Sequence, residues 1–161
     1  NSQPWKFVVV RQKNAELAKL AYGANYDQVM EAPVTIALFT DTDLQKRARK
    51  IARVGGVKNF TDEQLQYFMQ NLPAEFARYD AQQTSDYLAL NAGLVAMNLV
   101  LALTDQGIGT NIILGFDKSK INEVLEIEER FRPEVLITVG YAAEKVEPSY
   151  RLPVDEIIDK R

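Results

Sequence analysis

The strongest constraint on the fold of this chain is a run of 18 residues, from Tyr87 to Thr104, that contains no charged side chain. A helix that is apolar on every face has to be covered on every face. A run of this length just reaches what a membrane span requires. The polar side chains of Asn91, Asn98 and Thr104 count against a lipid environment, however, so we predict a buried helix and no membrane span.

Covering such a helix is difficult for one small domain of 161 residues. A second copy of the chain is the economical cover, so the sequence predicts a homodimer. Three small residues on neighbouring turns, Ala92, Gly93 and Ala96, would let another helix or a flat ligand approach closely. The alternative is a central core helix in a monomer, and the residues alone leave that alternative open.

The chain contains neither cysteine nor histidine. Without cysteine it has no disulfides, no thiolate nucleophile, no Cys-ligated zinc and no iron–sulfur cluster. Without histidine it lacks the usual general base, the Ser-His-Asp triad and the commonest metal ligand. Any redox or transfer chemistry must therefore come from carboxylates, lysine, tyrosine, backbone groups or a borrowed cofactor, and we predict no metal site.

The charge pattern gives a second exclusion. The net charge is only −3, and the basic residues are scattered along the chain. Such a distribution offers no patch for nucleic acid or for an anionic membrane. The lack of cysteine also fits a cytoplasmic protein, which is where we expect this chain to act.

Segments typical of strands alternate with segments of helical spacing along the whole chain. The predicted strands are 7–10, 34–39, 111–114 and 135–140. The predicted helices are 14–21, 41–54, 61–72, 118–125 and a long one from 74 or 81 to 106. Strands separated by helices, with no repeat or linker between them, predict a single α+β domain of mixed α/β layers over residues 1–161.

Several predicted boundaries depend on single residues. Thr61 and Gln64 form a capping-box pair, so a helix should begin there and end before Pro73. Gly107 stands where a left-handed glycine commonly ends a helix, and Asp117 is placed to cap the short helix after it. The helix at 41–54 is polar and basic, and we expect it to face solvent.

Two glycine segments could border a phosphate or a ligand. Gly107-Ile108-Gly109-Thr110 lacks the strand before and the helix after that a dinucleotide-binding fingerprint requires. Leu114-Gly115-Phe116-Asp117-Lys118 is better placed, because a strand ends at its glycine and a helix begins just after. Backbone N–H groups there could approach a ligand with no side chain between. A plain turn between strand and helix is the alternative.

Four segments carry a family resemblance, and they follow one another in the expected order. Asn1-Ser2-Gln3-Pro4-Trp5-Lys6-Phe7 resembles the motif that opens the first core strand of nitroreductase-like proteins. The uncharged helix resembles that family's dimer-interface helix. The segment from Gly107 to Asp117 resembles its helix–strand–loop beside the flavin, and Tyr150-Arg151-Leu152-Pro153 resembles its C-terminal motif. Together these segments extend over nearly the whole chain.

The resemblance implies a fold and an activity. The fold would be a central mixed sheet flanked by helices, with the C-terminal tail exchanged between the two subunits of a homodimer. The activity would be that of an FMN-dependent oxidoreductase, passing hydride from NAD(P)H through the flavin to a nitroaromatic, a quinone or a similar small-molecule electron acceptor. Since the chemistry would occur on the flavin, no side chain is expected to be catalytic.

The resemblance also implies a set of FMN-binding residues. The flavin ring or its ribityl edge would be bound by Asn1, Ser2 and Gln3, because an amide offers both a donor and an acceptor. Backbone groups of Ile112, Ile113, Leu114 and Gly115 would lie beside the ring. Arg151 would bind the phosphate with its planar fork, although on sequence alone it could equally be a surface arginine.

One part of the family pattern has no counterpart in this sequence. The family's first helices carry an arginine-rich phosphate-binding motif, so the N-terminal segment would be absent and a protein beginning at Asn1 would be expected to bind FMN poorly. Two other functions fit the same residues. The chain could be a non-catalytic flavin-binding protein of the same fold, or a divergent FMN-dependent enzyme resembling the dehalogenases.

Overall fold

The computed structural model describes residues 2–57, 60–144 and 149–161. Four strands lie within them: β1 (Trp5–Val10), β2 (Val34–Asp41), β3 (Gly109–Ile113) and β4 (Phe131–Gly140). They form one sheet in the order β1-β2-β4-β3, and each neighbouring pair is antiparallel. The expected α+β class is confirmed, with the refinement that the described strands form an antiparallel sheet rather than a mixed one.

Helices connect and cover these strands. They are α1 (Asn14–Ala18), α2 (Asn25–Glu31), α3 (Leu44–Val57), α4 (Asp62–Gln66), α5 (Leu72–Phe76), α6 (Ala81–Asp105) and α7 (Ile121–Val124). A π-helical turn at Tyr67–Asn71 joins α4 to α5, and a 3₁₀ turn at Val154–Glu156 lies in the C-terminal tail. The long helix α6 therefore begins at the later of its two predicted starts.

The sheet has a hydrophobic cluster on each face, because successive side chains of a strand point to opposite sides. On one face Leu38 and Ile137 pack against Ala92 and Ala96 of α6. On the other face the cluster includes residues of α1, α7 and the segment between α1 and α2, and its strand members include Phe39 and Leu136. The sheet is thus the middle layer between α6 on one face and helices α1 and α7 on the other.

Both ends of α6 have well-formed caps. At the start, the Asp80 side chain accepts from the Gln83 backbone N–H at 2.7 Å, and the Gln83 side chain accepts from the Asp80 N–H at 3.0 Å. At the end, Gly107 has φ +73°, and the Ile108 N–H donates to the carbonyl of Leu103 at 3.0 Å. This is a Schellman ending, and it confirms the predicted left-handed role of Gly107.

Two helix predictions are wrong at their ends. The capping box at Thr61 and Gln64 is present, but the helical segment continues past Pro73. The π-helical turn before it makes Pro73 part of the first turn of a new helix, where a missing N–H costs no hydrogen bond. Asp117 does not cap α7, because its carboxylate accepts from the Ser119 N–H at 3.0 Å and α7 begins only at Ile121.

Three other elements differ from the sequence prediction. Helix α2 was not predicted, because it buries only Val29 and so has no apolar stripe. Strand β4 begins earlier than predicted, since an irregularity of register opposite Phe39 accommodates Pro133. Helix α3 is not wholly solvent-facing: its small apolar residues, among them Ala48, are buried, and its Leu44 packs in a cluster with residues of α5 and α6.

Candidate functional site

The segment before β1 is held closely against the rest of the chain. Ser2 is 1 % exposed, and its hydroxyl lies 2.7 Å from the Tyr87 hydroxyl of α6. The carbonyl of Pro4 accepts from the N–H of Asp41 at 2.6 Å, which extends the β1–β2 pairing by one bond. Asn1, which the sequence predicted to bind flavin, lies outside the described residues.

Gln3 differs from its neighbours in both conformation and exposure. Its φ is +43°, a left-handed conformation that few residues other than glycine adopt. The guanidinium of Arg47 in α3 donates to the Gln3 carbonyl from Nε at 2.9 Å and from Nη2 at 2.6 Å. The same Nη2 donates to the carbonyl of Trp5 at 2.9 Å. The side chain of Gln3 is exposed, while those of Ser2 and Pro4 are buried.

The loop after β3 presents backbone groups and apolar side chains. Ile113 belongs to the core, whereas Ile112 and Leu114 are exposed. Among the described residues, the N–H groups of Leu114 and Gly115 donate no hydrogen bond. Within the described part of the chain, two backbone donors at the glycine therefore have no partner, as a ligand-binding loop would require.

The carbonyl of Gly115 is fixed from the side of α2. It accepts from the Tyr22 N–H at 2.9 Å and from the Asn25 side-chain amide at 3.3 Å. A Cβ atom added to Gly115 would lie 2.9 Å from Nδ2 of Asn25. The position therefore favours glycine, because a side chain there would displace the amide that orients the loop.

A carboxylate follows this loop two residues later. Hydrogen bonds from the Ser119 side chain, and then from its backbone N–H, lower the pKa of Asp117. The Lys120 ammonium lies 3.6 Å from this carboxylate and lowers the pKa further. Asp117 thus stabilises its own turn as an ionised group, and its charge would disfavour a phosphate beside it.

Strand register relates the two parts of the candidate site. Val8 pairs with Ala37, Ala37 with Leu136, and Leu136 with Ile113. The first residues of β1 and the last residues of β3 lie toward the same end of the sheet. The Ser2–Gln3 segment, which precedes β1, and the Leu114–Gly115 loop, which follows β3, therefore lie toward that end as well. They are on opposite edges, three strand spacings or about 14 Å apart. The structure brings these parts to one end without direct contact.

Among the described residues, Arg151 has no hydrogen bond to the Ser2–Gln3 segment or to the Leu114–Gly115 loop. Its guanidinium donates to the Ser149 hydroxyl at 2.6 Å and to the Tyr150 carbonyl at 2.8 Å. All described residues of the tail, 149–161, are exposed. The described structure therefore gives Arg151 local partners only, and it does not bring this side chain to the other predicted site residues.

A buried polar network lies at the end of the sheet where β4 begins. Nε and Nη2 of Arg132 bind one carboxylate oxygen of Glu134 at 2.8 and 2.7 Å, and the Thr40 hydroxyl donates to the same oxygen. Arg132 also donates to the hydroxyl of Ser85 in α6 at 2.8 Å. The network joins the sheet to α6 two residues before Tyr87, which holds Ser2.

The outer face of α6 is apolar and uncovered. Gly93 has nothing within 4 Å of an added Cβ. By length and composition alone, α6 could cross a membrane: its most apolar stretch has a mean hydropathy of 1.7. Only 17 % of that stretch is buried within this chain. A shallow groove runs along this face, lined by Ala89, Leu90, Gly93, Leu94, Met97, Asn98 and Leu101.

Sequence reasoning missed several residues that shape this site. Arg47 carried no signal, because Arg49 and Arg53 on the same helix look identical to it in sequence. Tyr87 was visible only as part of the uncharged run. Asn25 lies in α2, a helix that the apolar pattern did not predict.

Comparison with known proteins gives a consistent picture. The model of the Nitroreductase family matches residues 1–141. A protein of Streptococcus pyogenes named Putative NAD(P)H nitroreductase Spy0809 is 62 % identical over 161 residues, which are all of this chain and 80 % of the relative.

Solved structures agree with the sequence comparison. The crystal structure of the Nitroreductase Family Protein from Streptococcus pneumoniae TIGR4 is similar with a TM-score of 0.96 and 86 % identity, over 99 % of this chain and 80 % of that one. A protein from Exiguobacterium sibiricum in complex with FMN is similar with a TM-score of 0.90 and 29 % identity, over 99 % of this chain and 78 % of that one.

Proposed function

This chain belongs to the nitroreductase family, and we propose that it is an FMN-dependent oxidoreductase that uses NAD(P)H to reduce a nitroaromatic, a quinone or a similar small acceptor. The observation that carries the proposal is the TM-score of 0.90, over 99 % of this chain, to a protein in complex with FMN. We include a cytoplasmic location in the proposal, in keeping with the absence of cysteine.

The described residues fit an FMN molecule at the proposed place. The N–H groups of Leu114 and Gly115 have no partner among them, and Gly115 has no side chain to obstruct a ring. The exposed amide of Gln3 can donate to a ring edge and accept from it. Because the side chain of Ile113 is buried in the core, only the backbone groups of this residue can contact the flavin. Ile112 would contribute in the same way, and Asn1 would complete the edge contacts. The side chain of Ser2, which was also expected at the flavin, is instead buried and bound to Tyr87, so its part is to anchor the segment.

Bound FMN would supply the two-electron chemistry that a chain without histidine and cysteine lacks. The protein's own part is to bind, to orient and to exclude water. Free backbone donors at Leu114 and Gly115 would fix the ring edge. The exposed apolar side chains of Ile112 and Leu114 would exclude water from its surroundings, which strengthens every polar contact there. Arg151 would bind the phosphate.

We propose further that the functional molecule is a homodimer joined through α6. Of the three small residues expected to admit a second helix, Ala92 and Ala96 face the chain's own sheet, so that expectation is wrong for them. Gly93 alone lies on the outer face, beside Leu90 and Leu94. A second copy is the favoured cover because a homodimer interface is apolar and self-complementary.

The C-terminal tail supports the same assembly. Its apolar side chains are exposed in the described structure, so a second subunit is the natural surface for them. We therefore keep the exchange of tails between subunits as part of the proposal. The exposed apolar residues of the tail are Leu152, Val154, Ile157 and Ile158.

The direct test of the proposed function uses the full-length protein. We expect the purified protein to be yellow, with about one FMN per chain, and to lose its visible absorbance when NADH or NADPH is added without oxygen. A quinone should then restore the absorbance. Retained flavin that neither nucleotide reduces would indicate a non-catalytic flavin carrier, and a protein that binds no FMN would contradict the proposal.

Arg151→Glu is expected to weaken FMN binding at least about tenfold, because a phosphate-pairing cation is replaced by an anion. Titration of FMN with fluorescence quenching measures the effect. Arg161→Glu is the matched control: Arg161 lies in the same exposed tail and pairs only with Asp159 among the described residues. Equal affinities of the two variants would remove Arg151 from the phosphate site.

A further inference from the structure

The left-handed conformation of Gln3 has to be stabilised by contacts with other parts of the chain. Of the segment from Ser2 to Trp5, only Gln3 has an exposed side chain and only Gln3 has a positive φ, +43°. Its neighbours are anchored, since Ser2 is bound to Tyr87 and the carbonyl of Pro4 accepts from Asp41. Strained backbone of this kind persists only where surrounding contacts hold it.

Arg47 supplies the contacts that hold Gln3. Its guanidinium makes three hydrogen bonds, two to the carbonyl of Gln3 and one to that of Trp5. The backbone of Arg47 is well anchored in α3, because Leu44, one turn earlier, and Ala48, the next residue, are both buried. A planar fork can span two carbonyl groups in a fixed geometry, which a lysine ammonium cannot reproduce.

These contacts have one consequence for the side chain of Gln3. Arg47 fixes the peptide plane that follows Gln3 through the Gln3 carbonyl, and the residue before Gln3 is held separately by the contact of the buried Ser2 with Tyr87. The direction in which the Cα–Cβ bond leaves the backbone is then set by Arg47 rather than by Gln3 itself. Without the fork, Gln3 would relax toward ordinary strand geometry, which turns its side chain to another direction.

We propose that Arg47 is a positioning residue: it holds Gln3 in the left-handed conformation and so directs the Gln3 amide at the edge of the flavin ring. The inference rests on the proposed function. Arg47 itself need not touch the cofactor, because it acts through the backbone of residues 3–5. The amide it directs would bond the ring in a manner that depends on the redox state, so its loss should alter the midpoint potential as well as the affinity.

The test compares Arg47→Met and Arg47→Lys with the wild-type holoenzyme. We expect Arg47→Met to weaken FMN binding about tenfold and to shift the midpoint potential of the bound flavin. Arg47→Lys keeps the charge but not the fork, so it should shift the potential in the same direction. Arg49→Met removes an exposed arginine from the same helix, and it should change neither quantity.

A double-mutant cycle with Gln3→Ala separates positioning from a general loss of stability or charge. In the Gln3→Ala background, Arg47→Met should cause no further change in potential, because the directed amide is already gone. Arg47→Met that alters neither potential nor affinity, or that alters the potential equally in both backgrounds, would overturn the inference. A wild-type protein that binds no FMN would overturn the proposed function, and with it this inference.

Discussion

Leu94→Glu is expected to turn the proposed homodimer into folded monomers, whereas Ala96→Glu is expected to unfold the chain. The two residues lie two positions apart in α6 but on different faces. Leu94 is 64 % exposed on the outer face, while Ala96 is 4 % exposed and packs on the sheet. A charge left unpaired in either buried surface costs about 3 kcal/mol or more. For the dimer this means at least about a hundredfold weaker association.

Light scattering at micromolar concentration measures the mass of each variant, and circular dichroism reports whether it is folded. Ala81→Glu is the matched control, because Ala81 is exposed in the first turn of the same helix, where a negative charge is favourable. It should remain a folded dimer.

If FMN binds between subunits, Leu94→Glu should also lose its flavin. A monomeric parent with bound flavin would refute the interface. Binding of the parent to lipid vesicles would identify the cover of α6 as a membrane instead.

The sequence could predict α6 as a helix but could not distinguish its two faces. Ala92, Gly93 and Ala96 are all small, and a run without charges offers no contrast between a sheet-facing and a partner-facing side. The structure separates them: Ala92 and Ala96 allow α6 to approach the sheet, and Gly93 lies outside. An Ala96→Glu variant chosen from the sequence would have tested the core and not the interface.

Strands were predictable where apolar and β-branched residues form an uninterrupted run, as in Phe7 to Val10 and Val34 to Phe39. The start of β4 was hidden because Pro133 and Glu134 are poor strand formers. There the structure uses an irregular register and a buried ion pair, neither of which a local pattern reveals.

The residues alone pointed to the Leu114–Gly115 loop as a possible ligand site, and the family motifs added the other expected site residues. Gly115 and its loop followed from the glycine at the end of a predicted strand, and the resemblance then gave them a role; the structure gives a physical reason for the glycine in the amide of Asn25. Arg47 acts on backbone carbonyls 42 and 44 positions away in the sequence. A contact of a side chain with a backbone leaves no complementary residue type in the sequence, so no pattern could have found it.

Glu134→Ala is expected to lower the free energy of unfolding by about 3 kcal/mol, because it leaves the Arg132 guanidinium without its buried partner. Glu134 is 8 % exposed and accepts hydrogen bonds from Arg132 and from Thr40. The side chain of Arg132 is 29 % exposed, so water can satisfy part of it, and the loss should fall at the lower end of the range for broken buried pairs.

Urea unfolding of the FMN-free protein measures this loss without the contribution of ligand binding. Glu128→Ala provides the matched control, since Glu128 pairs with Arg130 at the surface, where an ion pair contributes about 0–1 kcal/mol. Glu134→Gln should lie between the two, because an amide oxygen can still accept from Arg132 and Thr40.

The same arginine donates to Ser85 of α6, so Glu134→Ala should also loosen the first turns of α6 and the Tyr87–Ser2 contact. If Glu134→Ala costs no more than Glu128→Ala, the network contributes little to stability. The position of α6 over the sheet must then come from its apolar face alone.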